Sequence, residues 1–203
     1  MCGRYVLISN IGQIAEEFNL NETGLADLNR GDVYPGKKAS CIVSQNNETR
    51  LTNFLWGFHR AWKKHAPKPL INARAETISD KPTFQESFYR RRCLIAADGF
   101  YEWSKDRNQF YFSMLNSKPF GLAGIYEQDV SPSTEASFVI ITTSANKLVR
   151  QIHNRMPVII PREKYPLWLD NSRFDKSALT QLFVPFTEEN MQMREGTLQH
   201  YSK

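Results

Sequence analysis

The sequence predicts an α+β fold in which a mixed or antiparallel β-sheet curls toward a barrel and a few helices lie at its periphery. Strand-like apolar runs are short and numerous, and local turns join most of them. Apolar residues at helical spacing occur only in brief segments, and no internal repeat or low-complexity tract is present. Many short strands with few helices are typical of this class.

The first quarter of the chain predicts a strand, a helix and a hairpin. After the apolar run 5–8, Ser9 or Asn10 is placed to cap a helix over residues 11–18. Residues 21–35 are polar and irregular, and the turn at 33–36 leads into a strand at 40–44. Asn46 and Asn47 then predict a hairpin whose return strand covers 49–58.

The middle of the chain contains a loop, a site candidate and a second helix. The loop 59–69 interleaves Trp62 with basic residues, and segment 71–77 is too polar for a core strand, which indicates that it presents side chains. Ser79 or Asp80 is expected to cap a short helix with Pro82 near its start. An apolar strand at 93–97 then turns at 98–99 into residues 100–103.

The remaining elements complete a single domain, which we predict to cover residues 2–186. Strands are expected at 109–115, 120–126, 137–143 and 158–160, and helices at 146–152, 161–169 and 175–183. The segment 187–203 is polar and predicts a loosely held C-terminal tail.

Composition indicates a soluble globular protein in a reducing compartment. The chain has 203 residues, of which 41% are hydrophobic and 23% charged. Its three cysteines are too few for a disulfide framework or a zinc motif, and Cys41 and Cys93 lie in apolar runs and are expected to be buried. We predict no metal, no cofactor, no membrane contact, a monomeric state and a cytoplasmic location. The net charge of +5 suggests an anionic partner.

Cys2 directly follows the initiator methionine, and removal of Met1 would make it the N-terminal residue. Its amine and thiol would then form a 1,2-aminothiol, which condenses with an aldehyde to a five-membered thiazolidine. Both groups have ordinary pKa values of about 8 to 8.5, so a modest shift activates them near neutral pH. A chance occurrence of Cys at this position is the alternative.

Four ordered motifs resemble the SOS response-associated peptidase (SRAP) family. They are MCGRY at the start, NARAET at 72–77, RRCL followed by GFYEW within 91–103, and HNRMPV at 153–158. The resemblance implies an abasic-site processing protein. Its N-terminal cysteine would form a thiazolidine crosslink with the sugar aldehyde of an abasic site in single-stranded DNA, by Schiff-base, lyase-like chemistry that shields the lesion. The cytoplasmic protein would then be nucleoid-associated when bound to DNA.

The resemblance also implies the catalytic residues. Cys2 is the nucleophile, and Asn72 orients it through its amide. Glu102, among aromatic neighbours, is expected to have a raised pKa and to shuttle protons. His153 is expected to protonate the sugar oxygen during ring opening. The alternatives are a turn cap for Asn72, an exposed strand carboxylate for Glu102 and a surface or core histidine for His153.

Further residues are expected to contact the DNA. Arg4, Arg74 and Arg155 each lie within two residues of a proposed catalytic group and would bind flanking phosphates, although salt bridges, for instance to Glu76, are the alternative. Trp62 and Phe58 would stack on bases, and Trp56 is assigned to the core. Thr142 would position the sugar, and residues 90–92 either extend the phosphate contacts or face water.

Two other functions fit the same residues. One is a cysteine peptidase that uses Cys2 with His153 and Glu102, including self-processing of Met1, as the family name suggests. The other is a non-catalytic binder of single-stranded DNA through arginine and tryptophan side chains.

Overall fold

The fold consists of two β-sheets that share a core, with helices on the outer face of the larger sheet. The computed structural model describes residues 2–21, 28–45, 48–58, 68–128 and 135–197. Within them the strands are β1 (Tyr5–Leu7), β2 (Gly31–Val33), β3 (Lys38–Gln45), β4 (Glu48–Trp56), β5 (Asn72–Arg74), β6 (Arg92–Ala97), β7 (Gly99–Trp103), β8 (Gln109–Met114), β9 (Phe120–Glu127), β10 (Ser137–Ser144), β11 (Arg155–Pro157), β12 (Ile159–Ile160) and β13 (Met191–Glu195). The α-helices are α1 (Ile11–Phe18), α2 (Pro82–Arg90), α3 (Lys147–Arg150), α4 (Tyr165–Leu169) and α5 (Lys176–Thr180), and short 3-10 helices cover Ala75–Thr77, Arg162–Lys164 and Glu188–Asn190.

The larger sheet closes on itself and forms a ring. Its eight strands run in the order β11-β10-β4-β3-β6-β9-β12, with β5 paired to β10, and an additional pairing of β9 with β10 completes a cycle of five strands. Most pairings are antiparallel, whereas β10 is parallel to both β4 and β5. The smaller sheet has the order β13-β8-β7-β1-β2. The predicted α+β fold with a curled, barrel-like mixed sheet is therefore confirmed.

Successive side chains of the ring strands point to opposite faces of the sheet, and both faces are buried. One face packs against the smaller sheet around Trp56, Phe100 and Phe112, whereas the other face, with Ile42 and Leu94, is covered by the helices. This double burial explains why strands such as β6 are apolar along their whole length. Trp56, Cys41 and Cys93 are buried as predicted.

Near the start of the chain, the elements predicted from local sequence signals are present in the structure. Asn10 caps α1, and its side chain accepts a hydrogen bond from the Gln13 amide while the Gln13 side chain accepts one from Asn10. The predicted hairpin is present as the antiparallel pair β3–β4, which extends to Gln45 opposite Glu48, although its two turn residues lie outside the described part of the chain. Gly36, in the predicted turn before β3, has a φ of 82°, a backbone conformation that favours glycine.

Three elements differ from the predictions. Residues 31–33 form β2 within a segment that was predicted to be irregular, and β2 pairs with β1. Helix α2 begins after Lys81 without a side-chain cap, because Ser79 and Asp80 bond to each other instead. The segment from Thr187 was expected to be loosely held, but Met191–Glu195 forms β13 and pairs with β8 along five residues.

Two side chains predicted for DNA contact or the surface are core residues. Phe58 is buried and its ring centroid lies 6.0 Å from that of Phe84, so it cannot stack on a base. Arg92 is completely buried, and burial lowers its pKa to about 10. Its guanidinium donates to carbonyl oxygens at the ends of two helices and in the following turn, namely those of Phe88, Tyr89, Trp168, Asp170 and Arg173. Arg92 therefore stabilises helix packing.

The described helices are all too short or too polar to cross a lipid bilayer.

Candidate functional site

Cys2 lies just before β1 in the core, and only 1% of its surface is exposed. The Asn72 Nδ2 donates to the Cys2 carbonyl oxygen at 3.0 Å, and the Cys2 Sγ lies 3.9 Å from the Arg4 carbonyl oxygen. Burial raises the pKa of the Cys2 thiol well above its ordinary value, and the negative charge of Glu102 raises it further. The thiol is therefore held protonated, with a carboxylate close enough to influence it.

Asn72 is positioned by the first residue pair of a parallel ladder. It begins β5 opposite Ile140 of β10, and the peptide groups on both sides of it are fixed by that pairing. Its Nδ2 is used by Cys2, whereas its Oδ1 is buried and has no hydrogen-bond partner among the described residues. A buried acceptor of this kind is costly unless a donor completes it. The Asn72 Oδ1 can therefore accept a hydrogen bond from a further donor at this position.

Glu102 is a buried carboxyl group that is linked to the surface by His153. Glu102 lies on β7 with 1% of its surface exposed, and burial raises its pKa above the ordinary value, while the charge of His153 acts in the opposite direction. The His153 Nδ1 lies 3.9 Å from the Glu102 Oε1, and 29% of the His153 side chain is exposed. The pair therefore connects the buried surroundings of the Cys2 thiol with solvent.

The backbone of Arg155 fixes the His153 ring. The Arg155 amide donates to the His153 Nδ1 at 3.0 Å, a hydrogen bond that favours the tautomer with its proton on Nε2. The Arg155 carbonyl oxygen lies 3.1 Å from the same nitrogen and would accept a hydrogen bond in the other tautomer, with the proton on Nδ1. His153 itself follows α3, and its amide donates to the Val149 carbonyl.

Arg155 is also anchored through its side chain. Its Nη2 donates to the Thr142 carbonyl oxygen at 2.5 Å and to the Glu76 Oε2 at 2.9 Å, and its Nη1 pairs with the other Glu76 oxygen. The hydrogen bond from Arg155 lowers the pKa of Glu76, despite some opposing burial. The Thr142 hydroxyl is buried 3.5 Å from the Ala73 carbonyl and 3.4 Å from the Arg155 Nη2. The Thr142 hydroxyl thus lies between the Ala73 carbonyl oxygen and the Arg155 guanidinium.

Arg4 is held in the same way on the smaller sheet. Its Nη2 and Nε donate to the two Asp32 oxygens at 2.8 and 3.1 Å, and its Nη1 donates to the Gln109 Oε1 at 3.1 Å. The Arg4 guanidinium carbon lies 4.2 Å from the centroid of the Tyr101 ring. The salt-bridge alternative therefore applies to both Arg4 and Arg155, although neither pairing excludes an additional phosphate contact.

Arg74 differs from the other two arginines. It is exposed at the end of β5 and forms no ion pair within the part of the chain that the structure describes. The structure therefore brings Cys2, Asn72, Glu102 and His153 into one region and leaves Arg74 as the exposed cation beside it. Trp62 lies outside the described residues.

Two of these contacts have no signal in the sequence. Asp32 and Gln109 lie 28 and 105 residues from Arg4, and neither belongs to a recognisable motif. The salt-bridge alternative with Glu76 is present in the structure, where Glu76 pairs with Arg155.

Two further features bear on ligands. A cavity of about 460 Å³ lies between β9, β12 and Tyr165, but none of the predicted site residues lines it. No group of three or more His, Cys, Asp or Glu side chains in the described ranges is arranged to hold a metal ion.

Known proteins resemble this chain along most of its length. The family model described as SOS response associated peptidase (SRAP) matches residues 1–197. The chain is 34% identical to the abasic site processing protein YoqW of Bacillus subtilis (strain 168) over 95% of this chain and 90% of that protein. It is 28% identical to the abasic site processing protein YedK of Escherichia coli (strain K12), over 74% of this chain and 69% of that protein.

Solved structures share the same fold. A protein from Bacteroides thetaiotaomicron superimposes with a TM-score of 0.81 at 25% identity, covering 97% of this chain and 93% of that one. A protein from Bordetella bronchiseptica gives a TM-score of 0.82 at 22% identity, over 97% of this chain and 100% of that chain.

Proposed function

This chain belongs to the SOS response associated peptidase (SRAP) family, and from that premise we propose that it captures abasic sites in single-stranded DNA covalently through Cys2. The names of its relatives YoqW and YedK as abasic site processing proteins support this function. The observation that carries the proposal is the burial of Cys2 beside Asn72 and a carboxyl group of raised pKa, Glu102.

The proposed reaction is a condensation that releases one water molecule. Removal of Met1 gives Cys2 a free α-amine, which attacks C1′ of the ring-opened sugar and forms a carbinolamine. Loss of the hydroxyl group as water gives an imine. The Cys2 sulfur then attacks the imine carbon, the thiol proton is transferred to the imine nitrogen, and a thiazolidine ring closes. No oxidant, metal or cofactor is consumed.

Each of these steps moves a proton, and Glu102 and His153 are suited to that task. The pKa of Glu102 is raised by burial, so its carboxyl group exchanges protons closer to neutral pH than an ordinary glutamate. The protonated Cys2 thiol must lose its proton as sulfur attacks, and the nearby Glu102 carboxylate can accept it. The Nε2–H of a neutral His153 would donate to the sugar oxygen during ring opening.

Asn72 would hold the nucleophile during the same steps. Its Nδ2 already binds the Cys2 carbonyl oxygen, and its Oδ1, which has no partner within the described ranges, would accept a hydrogen bond from the new Cys2 amine. The amine lone pair would then point in a fixed direction.

The exposed Arg74 would bind phosphates of the DNA backbone. Arg4 and Arg155 would also bind phosphates while they remain paired with Asp32 and Glu76. Trp62 would stack on a base, and Thr142 would contribute to sugar placement. A single strand is the expected substrate, because the lesion lacks the base whose unstacking would otherwise cost a few kcal/mol.

The direct test mixes the protein with single-stranded DNA that contains one abasic site and separates the products on a denaturing gel. We expect a heat-stable adduct with wild-type protein and none with Cys2→Ala. Cys93→Ala, which removes a buried thiol elsewhere in the core, is the matched control and should retain the adduct. Wild-type protein without Met1 that gives no adduct contradicts the proposal.

The two alternatives predict different results. A cysteine peptidase needs a thiolate and therefore a lowered thiol pKa, whereas burial raises the pKa of Cys2. Such an enzyme would also cleave an added peptide many times per molecule. A non-catalytic binder would hold intact and abasic strands equally well, and Cys2→Ala would not change its affinity.

A further inference from the structure

Glu76 is a carboxylate in a place where an anionic ligand is proposed to bind. It lies in the 3-10 helix Ala75–Thr77, directly after β5, and half of its side chain is exposed. The neighbouring Arg74 is exposed, and both residues follow Asn72 on one short segment. A negative charge here opposes the approach of DNA phosphates, so a DNA-binding role alone does not account for Glu76.

The contacts of Glu76 lead to His153 through a single residue. Both Glu76 oxygens bind the guanidinium of Arg155, whose side chain is only 17% exposed. The Arg155 backbone amide in turn donates to the His153 Nδ1 at 3.0 Å. A planar, bidentate pair of this type restricts both partners in direction as well as distance.

The arrangement also joins the two sides of the site. Asn72 and Glu76 are four residues apart on the segment that contacts Cys2, whereas His153 lies in the loop before β11 and Arg155 begins that strand. Apart from the β10 strand to which both segments pair, the ion pair connects them directly. Loss of the pair would let the loop of His153 move relative to Cys2.

We propose that Glu76 is a positioning residue, which holds Arg155 and thereby fixes the orientation and tautomer of the His153 ring relative to Cys2. The inference rests on the proposed function, because it assigns Glu76 to the same reaction. It also explains why a carboxylate is kept beside the proposed phosphate contacts: its benefit to ring orientation outweighs its repulsion of DNA.

This role predicts opposite effects on binding and on chemistry when Glu76 is replaced by Gln. Removal of the negative charge also leaves the Arg155 guanidinium held, among the described residues, only by Thr142 and more available to a phosphate, so affinity for single-stranded DNA should stay equal or rise by about two- to fivefold. The loosened His153 should slow adduct formation at saturating protein by about tenfold to 10²-fold, the usual cost of a misplaced reacting group. A simple structural defect would instead weaken both.

The experiment measures affinity and rate separately. Affinity is measured with single-stranded DNA that carries a tetrahydrofuran abasic analogue, which has no aldehyde and forms no adduct. The rate is measured in single turnovers with a natural abasic site. Glu86→Gln is the matched control, because Glu86 lies on α2 and forms a similar ion pair, with Arg91 at 3.1 Å. Glu76→Asp keeps the charge and should restore part of the rate.

A third readout does not depend on the reaction. The ¹⁵N chemical shifts of the His153 imidazole report its tautomer, and we expect the Nε2–H form in wild-type protein and a mixture in Glu76→Gln. Unchanged His153 signals, an unchanged rate, or equal losses of rate and affinity would each overturn the proposal. If wild-type protein forms no adduct, the proposed function fails, whereas the imidazole signals still decide whether Glu76 positions His153.

Discussion

Replacement of Glu102 by Gln should slow adduct formation strongly without disturbing the fold. Glutamine has the shape of glutamate and fits the same buried space, but its amide cannot exchange a proton. A positioned acid or base contributes about 10² to 10⁴ in rate. Because the His153 Nδ1 lies 3.9 Å from the Glu102 Oε1 and can take over part of the proton transfer, we expect a loss in the lower half of that range, about 10² to 10³.

The same substitution should stabilise the protein at neutral pH. Burial raises the folded-state pKa of Glu102, so the stability that Glu102 contributes is full below its unfolded pKa and is lost as pH rises through the folded value. A neutral glutamine does not suffer this loss. The urea midpoint of Glu102→Gln should therefore exceed that of the wild type near neutral pH, and the difference should shrink in acid.

The assay is single-turnover adduct formation with abasic single-stranded DNA, quenched at intervals and resolved on a denaturing gel. Glu17→Gln is the matched control, because Glu17 is also buried with a raised pKa but bonds to Tyr165, away from Cys2. The control should keep the wild-type rate. If Glu102→Gln reacts as fast as the wild type, Glu102 does not transfer protons in this reaction.

Three further substitutions give separate expectations. Cys2→Ser should still form an imine that borohydride traps but should lose the heat-stable adduct, because an oxygen closes the ring far less stably; a stable adduct would exclude thiazolidine closure. Arg74→Gln should lower the slope of log affinity against log salt by about 0.7, as expected for one lost phosphate contact on a single strand, and an unchanged slope would remove that role. Arg92→Met should reduce the free energy of unfolding by about 2 to 4 kcal/mol, because several helix-end carbonyls lose their donor; urea denaturation measures this, and an unchanged midpoint would contradict it.

Local sequence signals predicted the elements whose causes are local. The Asn10 cap, the helix α1 and the antiparallel pairing of β3 with β4 all lie where the sequence predicts them. The motif residues Cys2, Asn72, Glu102 and His153 meet in one region, although they come from four different parts of the chain. The motifs indicated these residues, but only the sheet pairings show how they come together.

Other features could not be predicted because their partners are distant in sequence. The edge strands β2 and β13 are short and polar, and each forms because a neighbouring strand supplies its hydrogen bonds, β1 for β2 and β8 for β13. The sequence likewise identifies Arg92 as a cation but does not show that helix ends surround it. The pairings of Arg4 with Asp32 and Gln109 depend on the same long-range packing.

The chemistry depends on a free amine at Cys2 and on the loss of one water molecule, and intact-mass spectrometry tests both at once. The protein is measured before and after incubation with single-stranded DNA that contains an abasic site. We predict that the reacting species lacks Met1 and that the product mass equals protein plus DNA minus one water. An adduct on protein that retains Met1, or no adduct on protein that lacks it, would contradict thiazolidine formation at Cys2.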